Sequence, residues 1–267
     1  MKRRYQFLLA LILFVNVCFS FTAKVAYSQT GWEKEVELGI PTDNNSSDDI
    51  LIKRDQYVLS YNVDMNIANW VSWDLNKDWF GDAERQTTFK TDPDLPHGAY
   101  KVKTSDYVNS GYDRGHMTRS ECRTRSTEDN KATFYLSNIL PQTPKLNQRL
   151  WKNLEDYCND LCNVDNKQLY IICGGVYYTN HKIKNKISIP DSCYKIVVIL
   201  NHGQGLSDVT ENTPVIAVMM PNKKRITDFE WMDYLTTVDA LEASTGYDFL
   251  SNVPVSIQKK IESNTFH

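Results

Sequence analysis

Leu146-Asn147-Gln148-Arg149-Leu150-Trp151-Lys152-Asn153-Leu154-Glu155 sits thirty residues downstream of Asp113-Arg114-Gly115-His116. Leu146, Leu150, Leu154, Tyr157 and Leu161 recur at spacings of four, four, three and four. That is one apolar stripe of an amphipathic helix, and Pro144 stands where a helix start tolerates it. Asn147, Trp151 and Glu155 each follow a stripe residue. Four residues advance about 400°, so Asn147 and Glu155 differ by roughly 80° and two turns of rise. Both border the buried stripe, where a cation site at the edge of a core could use them.

Around this helix, Tyr57–Asn62 and Trp70–Leu75 read as strands, as do Leu169–Val176, Lys195–Leu200 and Pro214–Met220. Asn76–Asp82 reads as a turn and Lys90–Gly98, with Pro93 and Pro96, as a loop. Ser126-Thr127-Glu128-Asp129 reads as a capped helix start, and Leu136–Pro141 as an irregular exit from that helix. Asp228–Glu242 reads as a helix with Phe229, Met232, Leu235, Val238, Ala240 and Leu241 on its apolar side. Strands and helices do not alternate strictly, which favours α+β over a doubly wound sheet.

The ends of the chain carry different signals. Lys2, Arg3 and Arg4 precede an apolar run from Phe7 to Phe21, too short to span a bilayer comfortably. With small residues in Ala26-Tyr27-Ser28, residues 1–28 read as a signal peptide cleaved after Ser28. Val17 before Cys18 argues against a lipoprotein site. Residues 29–55, with the polar run Asp43–Asp49, read as a loose leader, and 56–264 as one domain. No later segment resembles a membrane span, so no stable membrane insertion is expected after cleavage, and the protein would be secreted or periplasmic.

Cleavage leaves 26 Lys and Arg against 33 acids, a formal charge of −7. That excludes a protein that coats nucleic acid by bulk charge. Yet from Tyr112 to Lys152 eight basic residues face four acids, a local +4. Phosphate affinity comes from such local contacts; a solvated helix face of mixed charge would give the same count. Five cysteines remain, Cys122, Cys158, Cys162, Cys173 and Cys193, and an odd number leaves one thiol unpaired. Structural or redox roles suit them better than a metal, since no second ligand pair accompanies Cys158 and Cys162. Cys173 falls inside a buried strand.

His116, Asn138, Asn147 or Arg114 alone would each be ordinary. Together they resemble the DNA/RNA non-specific endonuclease family, which includes Serratia-type nucleases and mitochondrial endonuclease G. The resemblance rests on Asp113-Arg114-Gly115-His116, Tyr135-Leu136-Ser137-Asn138-Ile139-Leu140-Pro141-Gln142, Leu146-Asn147 with Trp151, and Leu154-Glu155. His116 precedes Asn138, Asn147 and Glu155 by 22, 31 and 39 residues, as in the endonuclease G branch. Phe89–Pro96 matches the segment upstream of the family's site, and the likeness covers about residues 57 to 250.

The resemblance implies a central, mostly antiparallel sheet flanked by helices, with a ββα-metal motif carrying the site. It implies an enzyme cutting DNA and RNA to 5′-phosphate products, with His116 as general base, and the signal peptide would make that enzyme an exported one. Asn147 would be the direct ligand of Mg²⁺, for which Mn²⁺ can stand in. Glu155 would act on the ion through water, and Asn138 would hold the histidine loop and border the site. Arg114, Arg85, Arg119 and Arg149 would meet the substrate's phosphates. Asp113 would brace the strand end, and Gly115 would let the backbone pass close to the helix carrying Asn147.

Where many relatives have a small, alanine-rich stretch after the histidine, this chain has Met117–Arg125. Its added arginines either extend a phosphate track or face solvent. A homodimer is compatible with the resemblance, since some relatives form one. The competing readings are a non-catalytic nucleic-acid-binding or surface protein on this scaffold, and a phosphodiesterase for small nucleotides.

Overall fold

The computed structural model describes residues 31–43, 45–226 and 230–266; the expected signal peptide lies outside them. A 3-10 turn over Trp32–Val36 precedes an antiparallel meander of β1 (Ile50–Arg54), β2 (Tyr57–Asn62) and β3 (Ile67–Leu75). A long connection carries the short helix α1 (Thr104–Tyr107) to β4 (Asp113–His116), α2 (Thr127–Thr133) and β5 (Ile139–Gln142). A π-helical turn, Leu146–Trp151, runs directly into α3 (Lys152–Asn163). Then come β6 (Lys167–Val176), the hairpin β7 (Lys182–Ile183) and β8 (Ile187–Ser188), β9 (Ser192–Asn201) and β10 (Val215–Pro221). Helices α4 (Val238–Thr245) and α5 (Val255–Ile261) close the chain.

Six strands form one sheet in the order β1-β2-β3-β6-β9-β10, every pair antiparallel, so the α+β class with a central antiparallel sheet holds. Strand period sets the two faces. Leu169, Ile171 and Cys173 of β6 and Val197 and Ile199 of β9 point to one side, where they meet Leu146, Leu150, Trp151 and Leu154. Tyr170, Ile172, Ile196 and Val198 point to the other, against Val238, Leu241 and Ile261 of the C-terminal helices. The leucine stripe read from the sequence is therefore the surface that seats the helix beneath the sheet.

Four expectations change. The leader is not loose where it is described: Ile50–Arg54 is an edge strand, and Val36 and Leu38 are buried beside Val58 and Trp70. Its polar run hid a fixed end, because Glu35 is buried and accepts from the Asp74 amide at 2.8 Å.

Leu136–Pro141 is not irregular. It forms a 3-10 turn and then β5, which pairs with β4 in the register Arg114↔Pro141 and His116↔Ile139. Pro141 lacks an N–H but can sit in a two-stranded ladder with its nitrogen side unpaired.

Asp228–Glu242 is not one helix among the described residues, with 227–229 lying outside them. Trp231–Tyr234 is a 3-10 turn; Leu235 then bridges to Val218 and the Thr236 amide donates to Ala217 O at 2.9 Å. Thr237 caps α4 by accepting from the Ala240 amide at 3.1 Å. Apolar residues assigned to one helical face thus serve a sheet edge and a shorter helix. The five cysteines are all buried and unbridged.

Gly115 makes room for a different neighbour from the one expected. A Cβ there would lie 1.9 Å from Gln142 Oε1 on the paired strand, so its constraint comes from β5, not from the helix.

Candidate active site

Strands β4 and β5 followed by the π turn and α3 make a ββα unit, and one cavity of about 620 Å³ opens along it. Arg85, Phe89, Asp113, Arg114, His116, Arg119, Phe134, Asn147, Lys152 and Glu155 all line it. Residues up to 70 positions apart in the chain meet here because β4 and the helix converge on the same edge of the core.

His116 is at the end of β4, with its ring wedged between Phe89 (5.3 Å) and the edge of Phe134 (4.9 Å). Its carbonyl accepts from Trp151 Nε1 at 3.2 Å, which ties strand to helix. Nε2 is shut away from solvent without a partner, leaving Nδ1 as the ring nitrogen that can serve the cavity. Burial, then the nearby Arg85, Arg119 and Arg114 guanidiniums, push the imidazole down to about 3. The ring is therefore neutral across the physiological range, with one nitrogen lone pair free.

Arg114 lies over Phe89 with its guanidinium carbon 4.5 Å from the ring centroid. Arg85 lies over Phe134 at 5.4 Å and donates to Ser120 Oγ at 3.1 Å. Neither pairs with a carboxylate among the described residues, so both present uncompensated charge to the cavity. Phe89 is held by its own segment, which adds a short parallel bridge, Lys90 to Tyr135. Arg54 of β1 fixes that segment by donating to Asp92 at 2.5 Å and Asp94 at 2.6 Å.

The helix side is different. Asn147 Nδ2 donates to Asp113 Oδ2 at 3.0 Å, and Gln148 Nε2 to the same oxygen at 2.8 Å. Asp113 is thus a brace, as expected, but it braces the helix start rather than only its own strand. With Nδ2 engaged, the amide oxygen of Asn147 is the atom left to act as a ligand. Glu155, 8% exposed, lies 3.5 Å from Lys195 Nζ and 3.7 Å from Arg119 Nε. Burial pushes its carboxyl up while Lys195 and then Arg119 pull it back.

Lys195 is the residue that the sequence reading missed. It is 1% exposed on β9, 4.2 Å from the Trp151 ring centroid, and its partner is Glu155. The signal was present as the one charge inside an apolar strand, on the same face as Val197 and Ile199.

The remaining expected residues divide. Arg119 reaches the cavity, but its guanidinium also contacts Glu121, Glu155 and Asp156, the last at 2.6 Å. Arg149 is exposed and does not line the cavity. Asn138 does not border it either. It is wholly buried, where Oδ1 accepts from the Thr118 amide and Nδ2 donates to Thr118 O and Thr133 O, each at 2.9 Å. It holds the chain just after His116.

The arginines of the 117–125 stretch divide between the expected roles and a third: Arg119 lines the cavity, Arg125 faces solvent, and Arg123 does neither. Arg123 is buried, donating to Gln56 O, Asp74 O and Glu35, and Arg125 lies over Trp79 and pairs with Asp129 at 3.0 Å.

Comparison with known proteins agrees with this geometry. Residues 36–256 match the model of the DNA/RNA non-specific endonuclease family. The chain is 49% identical over 217 residues to a nuclease of Nostoc sp., covering 81% of this chain and 78% of that one. It is 27% identical over 216 residues to human mitochondrial endonuclease G, covering 76% and 70%. A solved complex of EndoG with EndoGI has the same fold, with TM-score 0.71, 23% identity, and coverage of 86% of this chain and 94% of that one. This chain belongs to the DNA/RNA non-specific endonuclease family and is a nuclease.

Proposed function

We propose that the protein is an exported, Mg²⁺-dependent endonuclease that hydrolyses DNA and RNA, with His116 as general base and 5′-phosphate products. The observation that carries this reading is the meeting of a neutral imidazole, two uncompensated guanidiniums and an amide oxygen around one cavity.

The donors suit a hard cation. The Asn147 amide oxygen is neutral, and a Mg²⁺ ion that keeps most of its waters needs few protein ligands. Bound beside Asn147, the ion would supply positive charge to phosphate oxygens and the leaving oxygen. The chain's own residues do the rest. Arg114 and Arg85 receive the phosphate, and His116 takes a proton from the attacking water. Asp113 keeps the Asn147 amide from rotating. Lys195 and Arg119 hold the Glu155 carboxylate at the cavity wall, where it would accept hydrogen bonds from the waters of a bound ion.

The arginines that depress His116 are also the groups a phosphodiester would neutralise. Substrate arrival therefore raises the imidazole's proton affinity just when a base is needed. Two residues of the expected substrate set have lesser parts in this reading: Arg119 positions Glu155, and Arg149 stands away from the reacting phosphate. Export rests on residues 1–28 alone.

The test is cleavage of plasmid and of RNA by purified protein, with Mg²⁺ and with chelator. His116→Ala is expected to lose at least about 10²–10⁴-fold in rate while nucleic-acid binding persists. Equal, chelator-insensitive behaviour of wild type and variant would favour a binding protein instead. A preference for short nucleotides over plasmid would favour the small-substrate phosphodiesterase.

A further inference from the structure

The face of the sheet opposite the cavity carries a second group of acids. Asp239 and Glu242 lie on α4, and Glu262 is the residue that ends α5. One carboxylate oxygen from each lies within 4.8 Å of the other two. The two helices are tied at this point by the Asp239 amide, which donates to Glu262 O at 3.1 Å.

A cluster of acids on a surface is commonplace, and Asp239 is exposed. Glu262 is not. It is 7% exposed, and its Oε1 is buried without a hydrogen-bond partner. None of the three acids pairs with a Lys or Arg among the described residues, and Asp248 adds a fourth negative charge nearby. Glu242 has one oxygen occupied, since Oε1 accepts from the Phe249 amide at 2.8 Å, which leaves Oε2.

A buried carboxylate with one orphaned oxygen, held within reach of two other carboxylates, has two means of relief. One is a proton, since burial and the neighbouring acids push Glu262 up to about 8. The other is a cation. An isolated proton satisfies one oxygen and leaves Asp239, Glu242 and Asp248 repelling one another; a divalent cation compensates them together.

We propose that Asp239, Glu242 and Glu262 bind one calcium ion, which fastens the C-terminal helix to α4. Calcium takes six to eight oxygen ligands in a flexible geometry, so carboxylates from two helices can share it, whereas Mg²⁺ demands a near-ideal octahedron and is seldom held by a cage of protein carboxylates. The donor set is all oxygen, with no imidazole or thiolate to favour zinc. The site is separate from the cavity at His116: its helices pack on the face that bears Ile196 and Val198, not on the face that seats α3.

The experiment is thermal unfolding of the purified protein during a CaCl2 titration, for wild type, Glu262→Gln, Asp239→Asn and Asn147→Ala. At a hundredfold excess over Kd, Tm is expected to rise by roughly 5–10 °C in wild type and in Asn147→Ala. The rise should be lost in Glu262→Gln, where the amide copies the shape of the protonated acid, and in Asp239→Asn, where an exposed change leaves the core intact. No rise in wild type overturns the proposal. So does a rise that survives both acid variants, or one lost in Asn147→Ala alone, which would place the ion in the cavity.

Discussion

The two walls of the cavity are built on opposite electrostatic plans. On the strand wall, Arg114 and Arg85 rest on Phe89 and Phe134 and meet no carboxylate among the described residues. On the helix wall, every charge has a partner: Glu155 with Lys195 and Arg119, Arg119 with Glu121 and Asp156, and Lys152 with Asp156 at 2.5 Å. An aromatic bed fixes a guanidinium without cancelling its charge, whereas a salt-bridge network fixes a carboxylate by cancelling it. The first wall is arranged to attract an anion and the second to hold a geometry.

The sharpest way to break this contrast is at the buried end of the network. Lys195→Met leaves the largely buried Glu155 carboxylate without its first partner. Removing one member of a buried pair costs about 3–5 kcal/mol. Urea unfolding is expected to show a loss of that size, and Glu155→Gln in the same chain should recover part of it. A loss under 1 kcal/mol would mean that the helix wall does not depend on this pair.

A smaller effect separates two arginines. Arg114→Ala removes a charge that faces the substrate, so KM for plasmid should rise by roughly tenfold or more. The slope of log affinity against log salt should flatten by about one. Arg119→Ala should leave that slope unchanged and act on kcat through Glu155. Matching slopes in the two variants would erase the distinction between the walls.

A third effect lies outside the cavity, in the pair that anchors the 117–125 stretch. In the core the Arg123 guanidinium donates to the Glu35 carboxylate and to the Asp74 backbone carbonyl, and burial pushes Glu35 up to about 8. A carboxyl raised on folding takes up a proton. Its contribution to stability is complete below its unfolded value near 4.5 and is lost as pH rises through about 8. Between pH 5 and 8 this group lowers stability by up to about 1.4 kcal/mol per pH unit. Tm measured over that window should fall less steeply with pH in Glu35→Gln than in wild type.

What the sequence made legible follows the strength of its periodic signals. Strands β6 and β9, and the edge strand β10, are buried on both faces over most of their length, so they stand out as apolar runs. The α3 stripe is unambiguous because its leucines recur over four turns. Strands β4 and β5 were hidden, since a pair that forms a reactive edge is written with Arg114, Gly115, Pro141 and Gln142 rather than with β-branched residues.

The site residues were legible as a set only through the family motif. Their division into reactive and positioning roles was not, because it depends on pairing across the fold: Asp113 with Asn147, Lys195 with Glu155, Glu35 with Arg123. Strand β1 was lost in a polar leader for the same reason. Only Ile52 of its five residues is buried, and the Asp92 that binds Arg54 lies elsewhere in the sequence.

The π turn at Leu146–Trp151 has a consequence for how this protein can change over time. Such a turn holds one residue more than an α-helix of the same length, because its bonds close over five residues. Losing that residue would leave a regular helix and a sound hydrophobic stripe downstream. It would also turn Asn147 by about 100° away from Glu155. A deletion that improves the helix would therefore disable the enzyme. The irregular turn works as a frame mark, since a change of length there would move Asn147 whatever residues surrounded it.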